Sequence, residues 1–277
     1  MKKIILMLTV VVLAGCSTKF VYRNADWLTY WYLDDYISLD SEQEARFDER
    51  LLDWLQWHKS QELGKYVAQL NDLKSDIQTG NITEQSIEAH QNRMLSHWHR
   101  IRDKLTPDLA QMANMLSQEQ VDELFDELAE SQSKNAKKRE KRTEEQRKKR
   151  WVEGNKDNLD QWLGKLTDEQ EQLVEDLYGK KQHTADLWHQ YRTEYHQQLK
   201  AVFEQPDRGE NFTHTLLALL NNPEQFRSEQ LNARNEHNQA LDRMFLVKIY
   251  KSLTDKQRKH LLRELDDLAE DLSSLQK

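Results

Sequence analysis

An all-α fold, drawn out as an elongated helical bundle of two similar halves, follows from three observations. Gly and Pro are scarce, at 7 and 3 in 277 residues, whereas sheets and their turns rely on both. Charged residues reach 32% against 37% apolar, which suits narrow apolar stripes on helices with broad solvated faces. Apolar side chains also recur at steps of three and four residues, the spacing that lines one helix face.

In chain order, Lys2 and Lys3 precede the apolar run Ile4 to Leu13, followed by Ala14 and Gly15. Ten residues are too few to span hydrocarbon as helix, which takes about 20, so residues 1–15 read as a cleaved signal segment. Leu13-Ala14-Gly15-Cys16 resembles the lipobox of bacterial lipoproteins, and that resemblance implies acylation of Cys16. Ser17 in the next position implies an outer-membrane destination, with the body facing the periplasm. Cys16 is the one cysteine, so acylation leaves no thiol for disulfides, metal binding or nucleophilic chemistry.

Residues 16–38 combine this anchor with seven aromatics: Phe20, Tyr22, Trp27, Tyr30, Trp31, Tyr32 and Tyr36. Trp and Tyr suit a boundary that is apolar on one side and wet on the other. The segment therefore has two destinations, the lipid headgroups or the bundle core. Asp34 and Asp35 sit poorly beside anionic lipid and favour the core, with Trp27 and Trp31 turned inward at i, i+4.

A first helical half is expected over 39–133 and a second over 159–277. In the first, one stripe runs through Phe47, Leu51, Trp54, Tyr66, Leu70, Leu73 and Ile77, ending before Gly80. In the second, another runs through Leu173, Leu177, Trp188, Tyr191, Tyr195, Leu199 and Val202, stopping before Pro206. Thr106-Pro107 and Asn222-Pro223 read as N-cap followed by N1, so each marks a helix start. Residues 205–209 form the clearest loop, and Leu261, Leu265, Leu268 and Leu272 mark a final helix.

One pattern recurs four times, as Leu39-Asp-Ser-Glu-Gln43, Leu116-Ser-Gln-Glu-Gln120, Leu166-Thr-Asp-Glu-Gln170 and Leu253-Thr-Asp-Lys-Gln257. Each is a capping box: the Asp, Ser or Thr accepts from first-turn amides, and the Gln three residues on reaches back to the cap N–H. The intervals between the first two boxes and between the last two are alike, which reads as a duplication of a unit that cannot complete a core alone. Boxes of this kind at helix starts resemble those of the small LTxxQ-type periplasmic stress chaperones (Spy/CpxP-like), helical cradles that bind unfolded or membrane clients. Over its whole length, and through the segment Tyr22 to Tyr36, the chain is more similar to an uncharacterised family of Gram-negative outer-membrane lipoproteins. That resemblance implies class and location, not a reaction.

The sharpest electrostatic feature is residues 134–158, a basic connector or helix between the halves. Lys134 to Arg150 holds ten cations against Glu140, Glu144 and Glu145, a net of +7. Without Lys2 and Lys3 the chain carries −10, so the rest is strongly acidic at −17. Lys137, Lys138, Arg139, Lys141, Arg142, Arg147, Lys148, Lys149 and Arg150 are candidates for an anionic partner: anionic lipid, lipopolysaccharide phosphate or acidic protein. No base-reading motif accompanies them, so nucleic acid is not expected.

Neither GxSxG, a Walker loop nor HExxH is present, so no catalytic residue, metal or cofactor is expected. His97 and His99 point apart on a helix, and His90/His97 and His189/His196 are seven residues apart, about 10 Å of rise. All read as surface or boundary histidines. The expected function is binding, as a lipid-anchored chaperone-like or scaffolding protein of the outer envelope. The alternative is a structural or adaptor subunit with one fixed partner; a metal-binding or hydrolytic role ranks below both.

Overall fold

A computed structural model describes Tyr22, residues 24–205 and residues 207–276. The signal segment and Cys16 lie outside the described residues. Within them all regular structure is helical, and the bundle is elongated.

The four boxes set the framework. Asp40, Ser117, Thr167 and Thr254 are extended N-caps whose side chains accept from the N3 amide, and Gln43, Gln120, Gln170 and Gln257 bond back to the cap N–H. They open α2 (Ser41–Gln61), α5 (Gln118–Glu140), α7 (Asp168–Lys180) and α11 (Asp255–Leu275). The other helices are α1 (Ala25–Leu33), α3 (Leu63–Thr79), α4 (Glu84–Met112), α6 (Glu144–Leu163), α8 (Ala185–Phe203), α9 (Glu210–Asn221) and α10 (Glu229–Lys251).

The boxes then meet in pairs. Gln43 Nε2 donates to Gln120 Oε1 at 2.9 Å, and Gln120 Nε2 returns a bond to Gln43 Oε1 at 2.6 Å. Gln170 and Gln257 do the same at 3.0 and 2.7 Å. Each amide also donates to the carbonyl two residues before the partner's cap: Gln43 to Met115, Gln120 to Ser38, Gln170 to Ser252 and Gln257 to Lys165. Each junction is thus locally two-fold, and the box spacings of 77 and 87 residues are the chain lengths that close these two knots.

Helix α4, 29 residues long, runs beside both α2 and α3. Trp54 Nε1 donates to Asp108 at 2.8 Å, and Phe47, Leu51 and Trp54 pack with Leu105 and Met112. Helix α11 lies along α3, its Leu268 and Leu272 on Leu63 and its Leu265 near Ile77. Gly80 ends α3 in the left-handed region at φ 81°, where a Cβ is strained. Tyr250 and Arg258 donate to the freed carbonyl of Ile77 at 3.0 and 3.1 Å. The stretches read as two halves in sequence are therefore interlocked in space, α11 on α3 and α9 on α4.

Helices α5 and α8 pair antiparallel through Gln132–His196 and Arg139–Asp186. Helices α6 and α7 pair through Tyr178–Glu144 at one end and Lys156–Glu171 towards the other. The turn between α5 and α6 is consequently a whole helix length from each knot, about 34 Å along the 23 residues of α5 and about 30 Å along the 20 of α6.

Several expected elements are revised. The Phe47–Ile77 stripe is two helices, broken at Glu62 (φ −111°, ψ −40°). The Leu173–Val202 stripe is also two, broken between Lys180 and Ala185. Pro107 lies inside α4, although an interior proline costs about 3 kcal/mol. Burial of Thr106 and Ala110 beside α9 outweighs that, with Thr106 Oγ1 2.7 Å from Asn221 Oδ1. Pro223 starts only a 3₁₀ turn to Phe226, and α10 begins after the Ser228 cap. Trp27 and Trp31 do not fill the core: both are 59% exposed and stack on each other. Tyr30 is the α1 aromatic that packs inward, edge-on to Phe47.

Candidate functional site

The basic residues converge on the α5–α6 elbow. Lys137, Lys138 and Arg139 end α5, where cations complement the helix dipole. Lys141 and Arg142 form the turn, and Thr143 restarts the chain as α6 with its own capping box to Gln146. This is a fifth box closed by Gln, without the local signature of the other four because Arg142 stands where they have Leu. Arg147, Lys148, Lys149 and Arg150 follow within two turns.

Local acids occupy part of the set. Arg139 pairs with Asp186 at 3.1 Å, Arg147 with Glu144 at 2.9 Å and Lys149 with Glu153 at 3.8 Å. Arg147 Nη1 also donates to the Arg142 carbonyl, fixing the turn. Lys137, Lys138, Lys141, Arg142, Lys148 and Arg150 make no ion pair among the described residues, and all but the half-buried Arg142 are exposed. The elbow is thus a capped tip with several cations free for an external anion, on a body of opposite net charge.

A second cluster, which the sequence did not reveal, sits where α2 breaks into α3. The side chain of Glu62 is fully buried. It accepts from Arg100 Nε and Nη2 at 2.8 and 2.9 Å and from Lys65 Nζ at 2.7 Å. His97 is also buried, at 4% exposure, which corrects its reading as a surface or boundary histidine. Its Nε2 lies 2.8 Å from Gln69 Oε1, and Gln69 Nε2 donates to the His90 carbonyl. Since Gln69 offers only an acceptor there, His97 Nε2 carries the proton, leaving Nδ1 to accept from Arg100.

Burial alone raises the Glu62 carboxyl, but the hydrogen bonds it accepts from the Arg100 guanidinium and the Lys65 ammonium outweigh it and hold the pKa down to about 2. Burial lowers His97, only partly opposed by Glu62. Burial takes His58 down to about 4. His58 lies between two hydroxyls, with Nδ1 3.1 Å from Tyr22 and Nε2 3.1 Å from Tyr66. Tyr22 also donates to Leu55 O, so this network ties the entering chain to the break. The cluster is filled and self-satisfied; its groups hold one another rather than facing an open cavity.

A surface depression on the α3–α4 hairpin is open and lined by Asp72, Asp76, Asn81, Ser86, His90 and Arg93. His90 Nε2 meets Asp76 there at 3.0 Å. No group of three or more His, Cys, Asp or Glu is placed to hold a metal among the described residues. No helix among them is long and apolar enough to cross a membrane.

These features define a class: an all-α, box-knotted helical bundle with a cationic elbow and a buried ionic joint. The chain belongs to a family of unknown function, DUF6279, whose profile matches residues 35–232. The match includes three of the four Leu-led boxes and the elbow; it leaves out α1 and α11. No curated protein and no solved structure matches the chain.

Proposed function

We propose that this is a lipid-anchored, periplasm-side binding protein of the outer membrane, which scaffolds an acidic envelope protein on its α5–α6 elbow. One observation carries the reading: exposed cations without ion-pair partners are concentrated at a capped helix turn, on a body that is otherwise acidic. Such a field steers an acidic partner and sets its register. The lipobox-like Leu13 to Cys16 segment supports the location. The elbow lies about 27 Å along α5 from Glu123, a residue in contact with Ser38 just after the aromatic segment. That separation holds the cations away from the tether and favours a protein over the anchoring lipid as partner.

Chaperone-like holding of clients is the second reading. Met94 and Leu95 on α4 and Met244 and Leu246 on α10 support it, being exposed apolar side chains on helices that touch. Site-specific photocrosslinking from the elbow in intact cells tests the choice. One stoichiometric acidic protein supports scaffolding, and many unrelated products support the chaperone reading. Crosslinks to lipopolysaccharide alone contradict both.

A further inference from the structure

The exposed Trp27 and Trp31 are unexplained by the elbow. The two rings stack at 6.5 Å on the outer face of α1, and each is 59% exposed. The opposite face of α1 is fixed. Tyr30 donates to Asp48 at 2.7 Å and packs edge-on to Phe47, while Leu33 joins the same core. Just upstream, Tyr22 is tied to Leu55 and His58. The tryptophans are therefore held outward by a helix that cannot roll them in.

We propose that Trp27 and Trp31 form a membrane seat, inserted among the headgroups of the bilayer that holds the acyl chains of Cys16. This rests on acylation of Cys16. Tyr22 is six positions after Cys16, so even a fully extended chain keeps Tyr22 within about 21 Å of the anchor. From Ala25 to Trp31 is about 9 Å of helix rise, and the three steps from Tyr22 to Ala25 add at most about 11 Å, so the pair stays within reach of the surface. Trp is the side chain best suited to the wet–apolar boundary. Asp26, Asp34 and Asp35 are exposed on the same short stretch, so the seat fits zwitterionic rather than anionic lipid. Two anchoring contacts, acyl and aromatic, fix the orientation of the body as well as its location.

The test is to reconstitute the full acylated chain into phosphatidylcholine vesicles whose acyl chains carry bromine near the headgroup. Emission from about two of the eight tryptophans should be quenched, with no dependence on salt. Trp27→Phe/Trp31→Phe should float with the vesicles equally well and lose that quenching. Oxidative footprinting of the unsubstituted chain reads the same contact without a variant. Trp27 and Trp31 should be protected several-fold in vesicles relative to the Cys16→Ser chain in solution. Equal quenching in both forms, or full oxidation of both tryptophans on vesicles, overturns the seat while leaving the anchor intact. Failure to float overturns the anchor and the seat together.

Discussion

Pairing of the boxes gives a prediction that ordinary helix capping does not. An isolated Gln in a capping box satisfies one cap N–H, and its loss costs under about 1 kcal/mol. Gln146, in the box at the elbow, is of this kind, bonding back to the Thr143 amide at 3.0 Å. Gln170 is fully buried and does more. Its oxygen serves the Thr167 amide and the Gln257 side chain, and its nitrogen serves Ser252 and Gln257. Gln170→Ala strands the buried Gln257 amide and the Ser252 carbonyl, each worth roughly 1 kcal/mol or more when left unpaired. The total is about 3 kcal/mol, a fall of roughly 6–12 °C in Tm for a chain of this size. Gln146→Ala should shift Tm by no more than about 3 °C. Thermal unfolding followed by circular dichroism measures both Tm shifts, and urea unfolding the corresponding free energies. In a double-mutant cycle, Gln170→Leu and Gln257→Leu should couple by about 1 kcal/mol, because the second change removes a partner already stranded. Equal losses for Gln146→Ala and Gln170→Ala, or additive behaviour in the cycle, would falsify the pairing account.

Further predictions concern the ionic joint. Glu62→Ala leaves Arg100 and Lys65 without their carboxylate. Removing one partner of a buried pair costs about 3–5 kcal/mol, and because both cations reach solvent the expected loss is nearer about 2–3 kcal/mol; a change under 0.5 in urea unfolding (an order-of-magnitude threshold for neutral surface substitutions, about 0.5 kcal/mol) contradicts it. The histidines set a pH window. With His58 and His196 lowered by burial from 6.5 to about 4, the unfolded chain binds more protons between those values. Stability is complete above pH 6.5 and falls as pH drops towards 4. Their partial exposure reduces the full linkage of about 3 kcal/mol each, so a combined loss on the order of 2 kcal/mol is expected between pH 7 and 4.5, and His58→Gln should flatten part of it. Glu62, held down to about 2, adds a second loss only below its ordinary value of 4.5. A flat stability profile from pH 7 to 4.5 contradicts the histidine assignment.

Local signals were legible in the sequence and long-range ones were not. The four Leu-led boxes are readable because cap and Gln lie within one turn, and each does open a helix. That Gln43 finds Gln120 across 77 residues is a tertiary fact with no local trace, although the matching intervals pointed to a common unit. The break at Glu62 was hidden because apolar spacing continues across it; it falls two residues before Gly64, where the Glu62 carboxylate is buried on Arg100 and Lys65. Pro107 misled in the opposite sense, since packing against α9 overrides the proline's preference for a helix start. The basic run was visible as charge, but which cations remain unpaired depends on Asp186, Glu144 and Glu153 in space. His97 shows no sign of burial in an HxH context, because the partner that buries it stands 35 residues away. Trp27 and Trp31 failed a simple rule: large aromatics pack inward only where the face they occupy has a neighbour.

The central claim is that the elbow is the working surface, and charge reversal there tests it most directly. Lys137→Glu, Lys138→Glu, Lys141→Glu, Lys148→Glu and Arg150→Glu, combined in one chain, alter exposed cations that make no internal ion pair among the described residues. No internal ion pair is lost, and the cost is confined to reversing the Lys137 and Lys138 charges at the end of α5, about 1–2 kcal/mol in total. In envelope extracts, the acidic protein captured by the unaltered chain at low salt should be lost both from this variant and from the unaltered chain at about 1 M salt, where charges are screened beyond about 3 Å. A folded variant that retains the same stoichiometric partner contradicts the account.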